Sequence, residues 1–265
     1  MSGPDGEWRL VREETRSGAM QMALEEAAAE TAAAGGPRTV RVYRWEPSTL
    51  SLGYGQDPET VDWEYCDRTG VDVVRRQTGG GGIYHDATGD VSYSIVAPAE
   101  EFPGTLLTAY EQLCEPLFDA FDRIGIDAGF AEREAPAIHR PACYLRALDP
   151  AHDVVVGGRK ISGNAQYRQR DSVIQHGSIT FERAAEQHCA VFAADLPADR
   201  FRERVTSARE AAGVDRDRVV EALEAALAGW AGADVGEWTE EELDRAGRCA
   251  REKYATEAWT RRRPV

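Results

Sequence analysis

Three short stretches carry residues whose types and spacing suit chemistry on a carbonyl or phosphoryl group. The first runs Arg75-Arg76-Gln77-Thr78-Gly79-Gly80-Gly81-Gly82-Ile83-Tyr84-His85-Asp86. Four consecutive glycines expose peptide N–H groups with no Cβ in the way, and such a loop can curl into an anion-binding concavity. Two arginines at its base offer charge-assisted, bidentate contacts to a carboxylate or phosphate. The loop lacks both the Gly-Lys-Ser/Thr ending of a P-loop and the spacing of a dinucleotide fingerprint. A bare glycine run is often only a flexible turn between strands; the flanking Arg-Arg and Tyr-His-Asp weigh against that here. The second stretch, Gly157-Gly158-Arg159-Lys160-Ile161-Ser162-Gly163-Asn164-Ala165-Gln166, sets Lys160 among small residues that let backbone approach from both sides. The third, Gln175-His176-Gly177-Ser178-Ile179, presents His176, for which a hydrogen-bonded core histidine is the plain alternative.

Composition singles out Lys160. It and Lys253 are the only lysines among 31 basic residues. Lysine is a compact point charge on a flexible stem and arginine a broad planar fork, so a surviving lysine marks a place where guanidinium will not serve. The five cysteines, Cys66, Cys114, Cys143, Cys189 and Cys249, are scattered. Without a paired C-x-x-C spacing, a zinc site or disulfide framework is disfavoured, and the odd count fits a reducing cytoplasm. Net charge is −15, with 46 acids. A field of that sign repels phosphodiester backbones and disfavours nucleic-acid partners. Many acids and few lysines also predict a protein solvated in high salt, where the self-repulsion is screened; a coding bias toward Arg, Ala and Gly gives the same composition. No apolar run approaches the roughly 18 residues of a membrane span, and Met1 to Arg12 is too polar for a secretory signal. A cytoplasmic protein without a membrane partner is expected.

These residues need elements to hold them. Met20 to Ala34 reads as a helix stopped by Gly35-Gly36-Pro37. Thr39–Trp45, Leu50–Tyr54, Val71–Arg76, Val91–Val96 and Val173–Thr180 read as strands, with Arg41 and Arg44 interrupting the apolar run of the first. Leu106 to Ile124 has helical spacing, and Pro116 inside it marks a point for a kink or break. Asp153–Val156 and Lys160-Ile161 read as a hairpin around Gly157-Gly158. Charge-rich helices follow at Asp217–Leu227 and Thr239–Lys253, and a domain change is placed near residue 205, dividing residues 1–205 from a small C-terminal lobe, 206–265.

The chain resembles the lipoate-protein ligase and octanoyltransferase family, whose fold is shared with biotin protein ligases. Arg75 to Asp86 matches the pattern R-R-x-[ST]-G-G-G-x-[VI]-[YF]-H-D, and Gly158 to Ala165 matches G-[KR]-K-[IV]-x-G-[SN]-A, which puts Lys160 on the family's catalytic lysine. Met22-Ala23-Leu24-Glu25-Glu26, Ser51-Leu52-Gly53-Tyr54, Tyr93-Ser94, His176-Gly177-Ser178 and a terminal Lys253-Tyr254-Ala255-Thr256-Glu257-Ala258-Trp259 follow the family order over almost the whole chain. The fold this implies is α/β (α+β): a mixed, largely antiparallel sheet flanked by helices, with a small C-terminal lobe. The resemblance assigns ligand binding to Arg75, Arg76, Gly79, Gly80, Gly81, Gly82, Ile83, Tyr84, His85, Asp153, Gly163, Ala165 and His176. It implies an acyl tunnel lined around Tyr43, Trp45, Leu52 and Tyr84, although ordinary core packing accounts for such aromatics equally well.

The leading expectation is an ATP-dependent lipoate-protein ligase. It would form a lipoyl-adenylate with ATP and Mg²⁺, the ion held by Asp153, and acylate a lysine of a lipoyl carrier domain of the 2-oxoacid dehydrogenase E2 or glycine-cleavage H-protein type. Lys160 would stabilise charge in both half-reactions, and the short lobe leaves room for a separate accessory subunit. The chain departs from the ligase pattern at Ala151-His152-Asp153, where ligases carry Arg-Asn-Asp. The alternative is an octanoyltransferase. Cys143 stands where cysteine-dependent members place their nucleophile, and thioester exchange from acyl carrier protein needs no cofactor. Here the Cys-to-Lys spacing is 17 residues, about two more than that group shows. A non-catalytic relative that binds lipoyl groups or carriers is the third reading, against which the intact Lys160 and glycine loop argue.

Overall fold

The computed structural model describes residues 6–169 and 171–262. Its strands are β1 (Trp8–Arg16), β2 (Arg38–Trp45), β3 (Thr49–Leu52), β4 (Asp72–Arg75), β5 (Ile83–His85), β6 (Asp90–Pro98), β7 (Gly129–Phe130), β8 (Val154–Val156), β9 (Arg159–Gln169), β10 (Ser172–Thr180) and β11 (Asp234–Val235). The helices are α1 (Gly18–Ala33), α2 (Trp63–Thr69), α3 (Leu106–Arg123), α4 (Ala185–Ala190), α5 (Ala198–Arg204), α6 (Ala208–Ala212), α7 (Arg216–Ala231), α8 (Glu240–Cys249) and α9 (Glu257–Thr260). Eight strands form one sheet in the order β11-β1-β2-β6-β10-β9-β8-β7, and β4-β3-β5 form a second. In the large sheet β1 runs parallel to both β2 and β11 and the other pairs are antiparallel. The expected mixed, largely antiparallel α/β architecture is the one observed.

The central strands are covered on both faces, so alternation along them separates two interiors rather than inside from outside. On β2, Val40 and Val42 face one layer, built from α3 and α7 with Tyr93, Ile95, Leu113, Leu117 and Leu223. Tyr43 and Trp45 face the other, with Met22, Ala23, Leu24 and Ala27 of α1. The small side chains of α1 let it lie close on the sheet, as suits a helix buried on most sides. This arrangement corrects the reading of Arg41 as an interruption of the strand. The residue is fully buried and points to the α1 layer. There its guanidinium donates to Ser94 Oγ, Gln21 Oε1 and the Gln21 carbonyl, each at 2.8 Å.

Three other expectations shift. Helix α3 continues through Pro116, capped at its start by Thr105 Oγ1; the ring removes one backbone bond, and the buried face from Ala109 to Phe121 holds the rest. Strand β1 was hidden because only Trp8, Leu10 and Val11 are apolar before Glu13 and Glu14. Strand β5 is three residues long and lies inside the Ile83-Tyr84-His85 motif.

Residues beyond 205 thread through the body. Helix α7 packs on α3, β11 extends the sheet at β1, and α8 lies on α1. A buried ion pair secures this closure. Arg9 donates Nη1 to Glu242 Oε2 at 2.7 Å and Nη2 to Oε1 at 2.5 Å, while Glu242 completes a capping box with Thr239. Burial pushes the Glu242 carboxyl up, but hydrogen bonds from Arg9, the Thr239 amide and Thr31 outweigh it and hold it at about 2. Because the folded value lies below the ordinary 4.5, the pair contributes stability above that pH and loses it as pH falls toward 2. Glu242→Ala, which leaves Arg9 buried and unpaired, is expected to cost about 3–5 kcal/mol in urea unfolding at neutral pH. The difference from wild type should shrink as the pH is lowered below 4.5; a pH-independent difference would refute the assignment.

Candidate active site

The glycine run connects Arg76 and Ile83, both of which line a cavity together with Met22 of α1 and residues of the sheet. Arg76, at the end of β4, donates Nη2 to the carbonyls of Gly79 at 2.7 Å and Gly81 at 2.8 Å, Nη1 to the Ser51 carbonyl at 2.7 Å, and Nε to Thr78 Oγ1 at 2.8 Å. Burial lowers its pKa to about 10, which still leaves it charged at neutral pH. Its guanidinium therefore organises the loop it was expected to complement. The far end of the loop is clasped to the segment carrying Cys143. Gly82 donates to the Pro141 carbonyl and Cys143 N–H to the Gly82 carbonyl, both at 2.7 Å. A Cβ at Gly81 would sit 2.6 Å from the Pro141 oxygen and 2.9 Å from the Cys143 nitrogen, so only glycine permits this approach.

Cys143 begins a 3₁₀ turn, and its side chain enters the cavity wall beside Gly163 of β9. A Cβ added at Gly163 would lie 3.2 Å from Cys143 Sγ and 3.3 Å from Ile83 Cδ1, so the bare glycine keeps space next to the thiol. Lys160, in the same strand, is 3% exposed. Its Nζ donates to the Cys143 carbonyl at 3.2 Å and pairs with Asp153 Oδ1 at 2.5 Å. The other Asp153 oxygen accepts the Asp149 amide at 2.7 Å.

Met22, Tyr43, Trp45 and Ile83 make the cavity largely apolar, and it is narrow, with a volume of about 30 Å³, little more than a water molecule occupies. Two histidines enter it from opposite strands. His176 Nδ1 lies 2.9 Å from Glu25 Oε2, and its Nε2 lies 2.8 Å from Thr78 Oγ1. Burial raises the Glu25 carboxyl, but His176 and Arg41 overcome it and hold the group below its ordinary range. A hydrogen-bonded row thus runs from α1 through His176 and Thr78 to Arg76 and the glycine loop. His85 Nδ1 pairs with Asp90 Oδ2 at 2.5 Å, and its ring stacks on Trp45 at 4.3 Å. Burial lowers the His85 pKa against the opposing pull of Asp90.

The structure brings Cys143, Arg76, Ile83, His85, Gly163, Ala165 and His176 around one cavity, with Lys160 and Asp153 at the Cys143 carbonyl. Gly79, Gly80, Gly81 and Gly82 form the loop between Arg76 and Ile83 and are not themselves among the residues lining the cavity. Two expected binding residues lie elsewhere. Arg75 is fully buried and donates to the carbonyls of Gly53, Tyr54 and Gln56 and, across the chain, of Trp259 and Thr260. Tyr84 alternates to the other face of β5, where it meets His188, and Leu52 is buried in that same second cluster. Neither Glu25 nor Thr78 had been given a role, although both stand inside motifs already singled out. Period-two alternation within Ile83-Tyr84-His85 was the signal that would have removed Tyr84.

Magnesium fits these residues poorly. Both oxygens of Asp153 already accept donors, one of them the Lys160 ammonium, and no cluster of three metal-ligating side chains occurs among the described residues.

Residues 17–228 match the lipoyl protein ligase A/B catalytic domain. The chain belongs to this family. Over 97% of its length it is 37% identical to the octanoyltransferase LipM of Kyrpidia tusciae, covering 99% of that protein. It is 32% identical to LipM of Bacillus subtilis, covering 97% of this chain and 98% of that one. Among solved structures it is similar to a lipoate-protein ligase A bound with ATP (TM-score 0.80, 26% identity, 97% of this chain and 100% of that one). A second is the bi-partite lipoate protein ligase of Thermoplasma acidophilum, studied with its E2 lipoyl domain (TM-score 0.81, 25% identity, 98% of each chain). The chain is thus an enzyme-family member with the lipoate-ligase fold. No helix among the described residues is long and apolar enough to cross a membrane.

The five thiols differ in setting. Burial, with neighbouring carboxylates adding to it, pushes Cys66 and Cys114 up to about 12 and Cys189 and Cys249 to about 11. Each is then a poor nucleophile near neutrality. Iodoacetamide at mildly alkaline pH should alkylate Cys143 before the other four, as read by peptide mass spectrometry. Earlier labelling of any other cysteine would contradict the placement of the Cys143 thiol in an open cavity wall.

Proposed function

We propose that this chain is an octanoyltransferase that moves an octanoyl group from an acyl carrier protein to a lysine of a lipoyl carrier domain by way of Cys143. One observation carries the reading: a thiol in the wall of an apolar cavity, on the residue whose carbonyl holds the buried Lys160 ammonium. In the first step Sγ attacks the thioester carbonyl. The carbon–sulfur bond to the carrier arm breaks, and the arm leaves as a thiol with the proton that Cys143 gave up. The exchange joins two thioesters of similar energy and needs no activated nucleotide. In the second step the acceptor amine attacks the Cys143 thioester, an amide forms, and the cysteine thiol is restored.

Lys160 supports both steps by standing beside the carbonyl that develops negative charge. Its position is fixed before substrate arrives, so little reorganisation accompanies the reaction. Met22, Tyr43, Trp45 and Ile83 form the apolar wall that receives the alkyl chain and must part to admit it, and the row from Glu25 to Arg76 holds the glycine loop in place. The relatives named octanoyltransferase support this reading and favour it over the ATP-dependent ligase that the motifs first suggested. The likeness to a ligase bound with ATP keeps adenylation as the second reading.

One assay separates the two. Purified protein is incubated with an apo lipoyl domain and either octanoyl-acyl carrier protein or ATP, Mg²⁺ and lipoate. Mass gain on the lipoyl domain is expected only in the first mixture, with an octanoyl adduct on Cys143 when the acceptor is left out. Cys143→Ser should abolish the transfer, and Lys160→Ala should slow it about 10²–10³-fold, as for loss of a charge-stabilising donor. Gain only with ATP and lipoate, undiminished in Cys143→Ser, would establish the ligase instead.

A further inference from the structure

The surface around Cys143 reverses the charge of the molecule. Acids make up 46 of 265 residues and the chain carries −15. Yet residues 135–148, the segment that presents Cys143, contain no Asp or Glu and hold His139, Arg140 and Arg146. Arg140 and Arg146 are exposed, and among the described residues neither guanidinium has an ion-pair or hydrogen-bond partner. Arg204, at the end of α5, donates to the carbonyls of Arg146 at 3.1 Å and Pro136 at 2.9 Å. It braces the segment and adds a third positive charge, near Asp153, whose carboxylate is already paired with Lys160. Arg140 lies three residues before Cys143 and Arg146 three residues after it, so the two flank the residue whose side chain lines the cavity. Just beyond, Asp149 and His152 pair with each other at 3.2 Å.

Elsewhere among the described residues most arginines meet a carboxylate; Arg133 and Arg251 are further exposed guanidiniums without one, but each has a glutamate as sequence neighbour. Arg38, Arg41 and Arg44 of β2 meet Glu101, Glu25 and Glu13, and Arg159 and Arg183 share Glu210. Arg248 is exposed without a pair on α8, but Asp244 lies one turn before it. Nothing in the fold needs Arg140 or Arg146, since an exposed, unpaired guanidinium adds little to stability. What the pair does create is a positive field around the nucleophile in a body that repels anions.

On the transferase reading, we infer that Arg140, Arg146 and Arg204 form a docking rim for an acidic protein face, that of the acyl carrier delivering the thioester to Cys143. Charge complementarity selects this occupant. A negatively charged carrier is repelled by the body of the enzyme and attracted only where the cavity opens, so the field both speeds encounter and aims the arm.

The test reads the first half-reaction alone: acylation of Cys143, without acceptor, followed by intact-protein mass spectrometry. The donors are octanoylated acyl carrier protein and octanoyl-pantetheine, the uncharged thiol arm without the protein or its phosphate. In the double variant Arg140→Glu/Arg146→Glu, the second-order rate with the carrier should fall about tenfold or more at roughly 0.1 M salt. The deficit should shrink to within about twofold near 1 M, where the Debye length is only about 3 Å. The rate with octanoyl-pantetheine should stay at the wild-type value, which also reports an intact site. The pair Arg248→Glu/Arg251→Glu makes the same change of net charge at the end of α8 and the turn after it and should leave both rates unchanged. An equal loss with both donors, an equal loss in the α8 pair, or no loss at all would overturn the docking rim. A wild-type protein that takes no acyl group from either donor would instead overturn the transferase reading, and the rim with it.

Discussion

A buried ammonium group has to be neutralised where it lies, because an unpaired charge in a protein interior costs far more than folding can spare. Lys160 meets this with one carboxylate and one carbonyl, Asp153 and Cys143. Much of the local structure follows. Asp153 must sit beside β8 and face across the hairpin to β9, and it is steadied by the Asp149 amide. The Cys143 carbonyl must turn toward the lysine, which fixes the peptide plane of that residue while its thiol turns to the cavity. The clasp between Gly82 and residues 141–143 then has only one way to lie. The ion pair thereby sets where a thiol, a glycine loop and an apolar slot meet.

The second organising fact is that polar chemistry is built into the interior layer of the sheet. Arg41, Gln21, Ser94, Glu25 and His176 are all buried between α1 and the central strands, and hydrogen bonds connect them. Such networks are costly when incomplete and rigid when satisfied. The rigidity reaches the glycine loop through Thr78 and Arg76, so a segment with four adjacent glycines is held by side chains from three elements. Backbone freedom supplies the shape of that loop, and arginine supplies its order.

The motifs were legible in the sequence because each is local. A glycine run, a lone lysine among small residues and a His-Gly-Ser strand announce themselves within a dozen positions, and together they pointed to the family and to the architecture. Pairings between distant residues were not legible. Nothing near Glu25 or Thr78 says that His176 will lie between them, and nothing near Arg75 says that its guanidinium will turn away from the cavity toward carbonyls some 185 positions later. Tyr84 and Arg41 were misread for one physical reason. In a molecule with two buried layers, alternation assigns a residue to one interior or the other, and hydrophobicity alone cannot tell which. Strand β1 escaped notice because its last residues pair along the sheet while their charged side chains answer arginines of neighbouring elements, Glu13 with Arg216 of α7 and Glu14 with Arg41 of β2.

The tail from Tyr254 to Thr260 gives the molecule a particular order of assembly. Trp259 donates its indole N–H to the Arg75 carbonyl at 2.8 Å, and Arg75 answers at the carbonyls of Trp259 and Thr260. Tyr254 and Gln77 are bonded at 3.0 Å. The foundation of the glycine loop is therefore completed by residues some 185 positions further along the chain. A growing chain can close most of its sheet, but the strand that launches the loop gains its last partners only once residues 254–260 have emerged.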